Sequence, residues 1–353
     1  MNRTVFLLFF FFVLAWMTRA QKRDVYVYGV AFYNLENLFD TLNTNGTYDQ
    51  EFSPDGARQW TGEKYWSKQR NMAIVFKGMA SKIIPDGPAV AGVVELENRS
   101  VLEDLVRQKP IRAWNWQIVH YDSPDRRGVD VALLYNPRFF KVLHSASHRL
   151  MIASKPDFLT RDQLVVTGLL GGIKISFIVN HWPSRLGGET KSSPLRDAAA
   201  SLTLSIADSL MRDDPKTGIV IMGDLNDDPT SKSVRTVLNA KKKMEEVPDG
   251  GFYNATWPLF EKGIGTLGYR GSWNLFDQFI ISKNLLGKPQ ADELKFWSAQ
   301  VFNKPFLTND AGQYKGYPKR TFAGGVFLNG YSDHFPTLIY LIRPDNHKDE
   351  VLE

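Results

Sequence analysis

Cysteine is absent from this chain of 353 residues. The absence excludes disulfide bonds, zinc–thiolate sites, iron–sulfur clusters and a cysteine nucleophile. The sequence also lacks a G-x-S-x-G nucleophile elbow and a G-x-x-x-x-G-K-S/T phosphate loop. These are the local signatures of many serine hydrolases and of P-loop nucleotide hydrolases, so the sequence favours neither class.

Positive charge is in small excess, with 43 Lys and Arg against 38 Asp and Glu and a formal net charge of +5. This is well short of the basic stripe of a dedicated nucleic-acid binder. Hydrophobic residues make up 43% of the chain and charged residues 23%, which is ordinary for globular proteins and excludes disorder, collagen and coiled coil as the main state. The length suits one large α/β domain or two small ones.

One apolar run, from Val5 to Met17, stands out at the amino terminus between Arg3 and Thr18-Arg19-Ala20. A basic start, a short apolar core and a small-x-Ala end predict a secretory signal peptide over residues 1–20. The run is short for a membrane span, and an uncleaved anchor is the alternative. Residues 21–353 are then expected to form a single soluble domain, exported to the periplasm or the extracellular space, with no integral membrane segment and most simply a monomer.

Short apolar strand candidates alternate with amphipathic helix candidates along the rest of the chain. Strands are predicted over 25–33, 89–95, 129–135, 173–180, 218–222, 276–281 and 335–342, and helices over 66–83, 100–106 and 193–211. The alternation predicts one layered α/β domain with partly antiparallel sheets. The Gly- and aromatic-rich segments 251–271 and 309–330 are predicted to be long loops, which in compact domains are often functional.

Carboxylates, amides and histidines recur at one end of these apolar runs. They are Asn34, Glu36, Glu95, Glu97, Asn180, His181, Asp224, Asn226, Asp277, Asp333 and His334. Residues two apart on an extended strand point to the same side, so the pairs with that spacing could each present two oxygen ligands. One such pair alone is more simply a solvated turn. The recurrence of the pattern, with histidines and no thiols, favours a site for a hard cation such as Mg²⁺, Mn²⁺ or Ca²⁺, where a histidine can position or deprotonate a water.

Seven segments resemble, in order, the motif series of the endonuclease/exonuclease/phosphatase superfamily. They are Tyr33–Asp40 (YNLENLFD), Val94–Asn98 (VELEN), Gly128–Tyr135 (GVDVALLY), Asn180–Arg185 (NHWPSR), Gly223–Asn226 (GDLN), Phe276–Phe279 (FDQF) and Ser332–Pro336 (SDHFP). This superfamily includes pancreatic-type deoxyribonuclease, abasic-site endonucleases, sphingomyelinases and inositol polyphosphate phosphatases. The resemblance runs from about Val25 to Ile342, and Gly-Asp-x-Asn followed by a terminal Ser-Asp-His is a specific combination.

The resemblance implies a four-layer α/β/β/α sandwich of the deoxyribonuclease I type, with two sheets face to face and helices outside. It also implies divalent-metal-dependent hydrolysis of a phosphoester, with Mg²⁺ as the cofactor and Mn²⁺ or Ca²⁺ as alternatives. One position departs from the pattern. The family often has Gln before the metal-binding Glu, where this chain has Val94, so the outer support of Glu95 is expected to differ.

Roles for individual residues follow from the same resemblance. The implied metal ligands are Glu95, Asn34, Glu36 and Asp333. The implied catalytic residues are His181, Asp224, Asn226, Asp277, His334 and Asp130. The implied substrate-binding residues are Arg185, Asn180 and Trp182. Within this set Asp277 is expected to orient His334, which is the general base or phosphate-stabilising group, and Asp130 is expected to orient His181.

Several features outside the motifs allow a simpler interpretation. Four histidines (His120, His144, His148 and His347) are predicted to be structural or surface residues, and Lys241–Lys243 a solvated face. Trp182 could stack on a nucleobase or pack on its loop, and Glu97 could cap the following helix. Aromatic residues in or beside the long loops could form a rim for a nucleobase or lipid, or pack the loops on themselves. These are Trp257, Tyr269, Trp273, Tyr317 and Tyr331.

Three functions stay open on the sequence alone. The first is an exported metal-dependent phosphodiesterase, most simply a nuclease, although the mild charge argues against tight, salt-sensitive duplex binding. The second is a phosphatase or a sphingomyelinase-like phosphodiesterase that acts on a small or lipid phosphoester. The third is a non-catalytic binding module on the same scaffold, which the presence of every motif residue disfavours.

Overall fold

The computed structural model describes residues 25–42, 49–290 and 292–345. The predicted signal peptide, with its cleavage point after Ala20, lies outside the described residues, as does His347. Within the described part of the chain, no helix has the length and apolar character needed to cross a bilayer.

Strands and helices alternate from end to end. The strands are β1 (Val25–Leu38), β2 (Val90–Leu96), β3 (Gln117–His120), β4 (Asp130–Tyr135), β5 (Phe140–His148), β6 (Gln163–Leu170), β7 (Ile173–His181), β8 (Gly218–Asp224), β9 (Phe252–Asn254), β10 (Leu267–Tyr269), β11 (Ser272–Asn274), β12 (Asp277–Ser282), β13 (Lys295–Val301), β14 (Phe322–Ala323), β15 (Val326–Phe327) and β16 (Thr337–Pro344). The helices are α1 (Gly62–Met79), α2 (Arg99–Val106), α3 (Glu189–Asp213) and α4 (Trp257–Glu261).

Two six-stranded mixed sheets hold most of these strands. The first sheet has the order β13–β16–β1–β2–β4–β3 and the second has the order β5–β6–β7–β8–β12–β9. In each sheet one pair is parallel, β1 with β2 and β7 with β8. Parallel neighbours need a crossover connection, and α1 and α3 supply the two crossovers. The carboxyl ends of each parallel pair therefore lie at the same edge of their sheet.

Alternation along the strands divides the apolar residues among three packed layers. In β1, Val30 and Phe32 face the second sheet, whereas Ala31 and Tyr33 face the outer helices. Tyr33 packs edge-on against Phe76 of α1, with ring centroids 5.9 Å apart. This two-residue period lets one strand bury both of its faces.

The second sheet is packed in the same way. Val220 and Met222 of β8 join the layer between the sheets, whereas Ile219 and Ile221 pack against α3. The result is the four-layer α/β/β/α sandwich that the resemblance implies, so the predicted fold class is confirmed.

The two sheets lie close together beside Gly92 of β2. A Cβ atom at this position would lie 2.9 Å from Met222 Sδ and 3.2 Å from Val179 Cγ1, both on the facing sheet. Because glycine carries no side chain, β2 can lie against β7 and β8 here. This contact sets the distance between the sheets just below the end of β2, where Glu95 lies.

Helix α1 spans Gly62–Met79 instead of the predicted 66–83, and the other two predicted helices also begin earlier than expected. The expected capping box at Ser100 is replaced by Asn98, whose side chain accepts a hydrogen bond from Val101 N, so that α2 begins at Arg99. Helix α3 begins at Glu189, which puts Pro194 inside the helix instead of in its first turn. The Asn98 cap therefore fixes the amino-terminal end of α2.

Candidate active site

The sequence-predicted polar residues meet at the seam between the two sheets. Three side-chain pairs cross it. Asn34 Nδ2 of β1 donates to Asp224 Oδ2 of β8 at 3.1 Å. Glu95 Oε1 of β2 lies 3.7 Å from His181 Nε2 of β7. His334 Nδ1, just before β16, lies 2.7 Å from Asp277 Oδ2 of β12, so the predicted contact between His334 and Asp277 is present.

Backbone irregularities position several of these residues. Glu36, Asn37, Glu95 and Asn226 have φ values of 49°, 53°, 60° and 50°, in the left-handed region that costs non-glycine residues about 1–3 kcal/mol each. The register of β1 with β2 shifts between Asn34 and Leu38, and that of β2 with β4 shifts at Glu95. Such bulges re-aim side chains next to active sites.

The bulge at Glu95 overturns the expectation that Glu95 and Glu97 present two oxygen ligands together. Glu97 Oε2 accepts from Asp40 N at 2.8 Å, and Glu97 N donates to Leu38 O. Glu97 therefore ties β2 to the segment after β1, while Glu95 faces His181. The simple alternation that paired Glu95 with Glu97 does not survive the bulge at Glu95.

Asp224 is the residue that links the others. Its Oδ2 lies 3.7 Å from His181 Nε2 and 3.9 Å from His334 Nε2, and its Oδ1 accepts from Asn226 N at 3.0 Å. Burial raises the pKa of Asp224 to about 6, with the nearby Asp277 carboxylate adding to the rise and His334 opposing it. Glu95, Asp224 and His334 thus converge, as predicted.

The two histidines have opposite electrostatic environments. Burial lowers the pKa of His334, but the carboxylates of Asp277 and Asp224 outweigh burial and hold that pKa well above the ordinary value. Burial, together with the positive charges of Arg161 and Arg127, drives the pKa of His181 well below the ordinary value. At neutral pH His334 is therefore cationic and His181 is neutral, which gives two imidazoles in one site different tasks.

Glu95 gains its outer support from an arginine. Arg127 Nη1 lies 3.3 Å from Glu95 Oε1, and Asn37 N donates to Glu95 Oε2 at 3.1 Å. Arg127 also donates to the side-chain oxygen of Asn37. Burial opposes ionisation of Glu95, but Arg127 outweighs burial and the pKa of Glu95 lies below its ordinary value. Arg127 and Asn37 are therefore the outer support of Glu95 in this chain.

Glu36 and Asp333, two of the predicted metal ligands, share an arginine instead. Glu36 Oε1 accepts from Arg320 Nε at 3.1 Å and Oε2 accepts from Thr321 N at 2.7 Å. Asp333 Oδ2 accepts from Arg320 Nη2 at 3.0 Å. Burial raises the pKa of Glu36 to about 7, with Asp333 adding to the rise and Lys68 and Arg320 opposing it. Both carboxylates hold Arg320, which the sequence analysis did not single out.

Asn180 and Trp182 are placed where a substrate cannot reach them. Asn180 is 0% exposed and Trp182 is 1% exposed. Trp182 Nε1 donates to Asn180 Oδ1 at 3.1 Å, and the Asn180 amide donates to Ile178 O and Met222 O. The prediction that they bind substrate is corrected: the Trp182 ring packs in the layer under α3, and the Asn180 amide is fully engaged inside the sheet.

Asp130 and Arg185 also have partners other than those predicted. Asp130 Oδ2 lies 2.9 Å from His120 Nε2 and its Oδ1 accepts from Ser123, so it does not orient His181, whose Nδ1 has no hydrogen-bond partner among the described residues. Arg185 donates to Asn226 O at 2.9 Å and contacts the carboxylates of Asp227 and Glu189. Its guanidinium therefore braces the loop after β8.

Four cations around the centre escaped the sequence analysis. They are Lys68, Arg127, Arg161 and Arg320, which contact Glu36, Glu95, Asp125 and Asp333. Arg127 directly precedes the Gly128–Tyr135 motif, and this adjacency is the one signal that could have revealed it. The other three come from helix or loop segments outside every motif.

The donor set fits a hard divalent cation. The ligand atoms of Asp224, Asp277 and His334 all lie within 4.8 Å of one another, but Asp277 and His334 pair with each other, which leaves Asp224 as the oxygen donor of this group. Glu95 and Asp224 both approach His181 Nε2, which brings two buried carboxylates together. Asp277 Oδ1 is buried and has no hydrogen-bond partner within the described chain. Clustered oxygen donors of this kind suit Mg²⁺, Mn²⁺ or Ca²⁺.

Several solved structures share this fold. A humanized D. rerio TDP2 with 14 mutations is 12% identical, over 89% of this chain and 98% of its own, with a TM-score of 0.55. A Bacteroides thetaiotaomicron protein of the endonuclease/exonuclease/phosphatase family is 16% identical, over 92% and 98%, with a TM-score of 0.54. A mannosyl-6-phosphatase from Bacteroides thetaiotaomicron is 17% identical, over 89% and 99%, with a TM-score of 0.53. At these identities the likeness shows the fold alone.

No curated protein matches the chain. The sequence model of the Endonuclease/Exonuclease/phosphatase family matches residues 29–343, and this range includes all the residues of the site. The chain therefore belongs to the endonuclease/exonuclease/phosphatase family and is a phosphoester-hydrolysing enzyme.

Proposed function

We propose that this enzyme is an exported, Mg²⁺-dependent phosphodiesterase that acts on nucleic acid. The observation that carries the proposal is a pair of cavities that both reach Arg320, one of about 560 Å³ and one of about 250 Å³. They share Ala323 and Gly324 as well. A phosphodiester has an ester group on each side of phosphorus and can fill both cavities, whereas a phosphomonoester would leave one of them empty.

Glu95 and Asp224, with Asn34 beside them, would hold the divalent cation. When bound, the cation would supply positive charge against the charge that develops on the phosphate oxygens. The side-chain oxygen of Asn34 accepts a hydrogen bond from Glu36 N at 2.9 Å. Asn34 would therefore support the cation through the hydrogen bond that its Nδ2 donates to Asp224. Mn²⁺ or Ca²⁺ could take the place of Mg²⁺ at an oxygen-rich centre.

The protein's own groups supply the proton and the positive field. His334, held by Asp277 and cationic at neutral pH, donates from Nε2 to a phosphate oxygen or to the leaving group. Asp224, whose orientation is fixed by Asn34 and by Asn226 N, orients the attacking water and accepts the proton that it loses as its oxygen bonds to phosphorus. Neutral His181 completes the wall between Glu95 and Asp224. Preorganised donors of this kind act most strongly where water is excluded.

Export and assembly are part of the proposal. Residues 1–20 would be removed, and residues 21–353 would act as a monomeric single domain in the periplasm or outside the cell. Amino-terminal sequencing of the protein recovered from those compartments should begin at Gln21. Recovery of the intact chain from the cytosol alone would overturn the proposed location.

A phosphatase or sphingomyelinase-like enzyme is the second candidate. The modest net charge of +5 favours it, because affinity for nucleic acid grows with the number of phosphates that Lys and Arg neutralise. A small phosphoester or a lipid headgroup needs no such extended basic surface.

A substrate panel separates the two candidates. The purified chain is incubated with single-stranded DNA, plasmid DNA, RNA, bis-p-nitrophenyl phosphate, p-nitrophenyl phosphate and sphingomyelin, with Mg²⁺, Mn²⁺ or EDTA. We expect metal-dependent cleavage of nucleic acid and of the diester. Glu95→Gln should abolish it, while the control His144→Gln, at an exposed position of β5, should retain it. Hydrolysis of the monoester or of sphingomyelin alone would overturn the nuclease proposal.

A further inference from the structure

A tyrosine-lined cavity opens beside the catalytic centre. Its volume is about 560 Å³, and its lining includes Tyr269, Arg270, Tyr314, Tyr317, Arg320 and Asp333. Arg320 contacts Glu36, and Asp333 directly precedes His334. A group bound in this cavity would therefore be attached, through a short link, to a phosphate held at the centre.

Two tyrosines present open aromatic faces in this cavity. Tyr269 is 59% exposed and Tyr314 is 54% exposed, so both rings are accessible to a bound group. The guanidinium of Arg270 lies 5.2 Å from the Tyr269 ring centroid. Tyrosine faces and a stacked guanidinium are surfaces on which another planar ring can stack.

The inner wall of the cavity is fixed by the packing behind it. The Tyr317 ring lies 5.1 Å from Trp273, and Trp273 in turn stacks on Phe335, with ring centroids 5.9 Å apart. Phe335 follows His334 in the chain. The tyrosine wall and the catalytic histidine are thus parts of one packed unit, so a ring bound against the wall has a defined position relative to His334.

Some polar groups of the cavity are engaged by the protein itself. The Asn309 amide donates to Tyr317 O and Pro318 O, both at 3.1 Å. Asp333 and Arg320 pair with each other at 3.0 Å. The tyrosine rings beside these engaged groups favour a flat ring as the occupant of the cavity.

We propose that this cavity binds a nucleobase of the nucleotide next to the scissile phosphate. The inference rests on the proposed phosphodiesterase function and adds the substrate class to it. A base held in a concave pocket cannot stay stacked and paired in a duplex. The substrate is therefore an unpaired nucleotide, in a single strand or at a frayed end.

A pair of matched substrates tests the proposal by kinetics. Thymidine 5′-(p-nitrophenyl phosphate) and methyl p-nitrophenyl phosphate release the same leaving group and differ in the nucleoside. We expect kcat/KM to be at least about tenfold higher for the nucleoside ester, since stacking of one base on an aromatic residue gives that much. Tyr269→Ala and Tyr314→Ala should reduce this ratio toward one, through KM, and Tyr→Phe at either position should keep it.

The control for these variants is Tyr121→Ala, at an exposed tyrosine outside the cavity. It should keep the parent ratio. Equal kcat/KM values for the two substrates in the parent enzyme would overturn the proposal. So would a ratio that both alanine variants leave unchanged.

A binding measurement separates this inference from the proposed function. The affinities of thymidine 5′-phosphate, deoxyribose 5-phosphate and mannose 6-phosphate are measured by calorimetry with Ca²⁺ present. The base pocket is supported if the nucleotide binds more tightly than both sugar phosphates and if Tyr314→Ala removes this difference. If this result is obtained but no diester is hydrolysed, only the proposed function fails. Equal binding of nucleotide and deoxyribose phosphate, or tighter binding of the sugar phosphate, overturns the base pocket.

Discussion

The side-chain amide of Asn34 donates a hydrogen bond of 3.1 Å to Asp224 Oδ2, and the two residues belong to different sheets. The pairs of Glu95 with His181 and of His334 with Asp277 cross the same seam. These three polar contacts are therefore also contacts between the two halves of the sandwich. The relative position of the sheets decides whether the catalytic groups meet.

Replacement of Asn34 by alanine should damage both stability and catalysis. Asp224 is buried and would lose a donor, which typically costs about 1–3 kcal/mol. We expect a lower free energy of unfolding in urea with EDTA and a kcat about a hundredfold lower, because Asp224 would no longer be fixed. Asn303→Ala, at an exposed position, is the control and should stay within roughly 0.5 kcal/mol of the parent. Parent-like values for Asn34→Ala would show that the contact has no role.

Asp277→Asn should change the shape of the pH–rate profile as well as its height. The Asp277 carboxylate is the main group that holds the pKa of His334 above its ordinary value, so its removal lowers that pKa. His334 then loses its proton at a lower pH, and the loss of rate relative to the parent should grow as pH rises from 6 to 9. The rate with Mg²⁺ is measured across this range, with Asp86→Asn as a surface control. A constant ratio of variant to parent would show that His334 does not act as a cation.

In the absence of metal, Asp224 should make the folded state less stable as pH rises. Its pKa of about 6 in the folded protein lies above the ordinary value of 3.8, so the folded state keeps a proton that the unfolded chain releases. Between about pH 4 and pH 6 this group alone destabilises the fold as pH rises, by at most about 3 kcal/mol. The free energy of unfolding of the parent minus that of Asp224→Asn, measured in EDTA, should therefore decrease over this window.

Added Mg²⁺ provides the control for that measurement. A cation that binds only the folded protein raises its stability, so at pH 7 Mg²⁺ should stabilise the parent and have a much smaller effect on Asp224→Asn. Parallel stability curves for the parent and the variant in EDTA would contradict the assigned pKa.

The family resemblance predicted the four layers and the meeting of Glu95, Asp224 and His334, whereas the local pattern alone predicted a layered α/β domain with polar residues at the strand ends. Apolar runs with a two-residue period and acids at their ends identify strands and the edge at which they stop. Strands such as β5 escaped prediction because β5 is mostly polar and half exposed. Its position in the sheet comes from pairing with β6, which the local pattern does not show.

The errors at the site have a common physical origin. Strict alternation does not reveal that Glu36 and Glu95 adopt left-handed backbone at bulges, which re-aims their side chains. Motif membership does not distinguish a residue that contacts a substrate from one that holds the scaffold, and Trp182 and Asp130 belong to the second kind. Arg320 was missed because its role depends on the fold of a long loop whose sequence carries no periodic signal.

Gly92→Val should test whether the seam sets the geometry of the site. The new side chain would meet Met222 and Val179 of the facing sheet, where even a Cβ lies 2.9 Å from Met222 Sδ. Overpacking of this kind costs about 1–3 kcal/mol, and it should move the end of β2, with Glu95, away from His181. We expect a lower unfolding free energy and a reduced kcat. Because the expected damage comes from a steric clash with Met222, adding Met222→Ala to Gly92→Val should restore part of the unfolding free energy and part of kcat. The double variant should then be less impaired than the sum of the two single variants. Strictly additive effects would mean that Gly92 does not control the distance between the sheets at the catalytic centre.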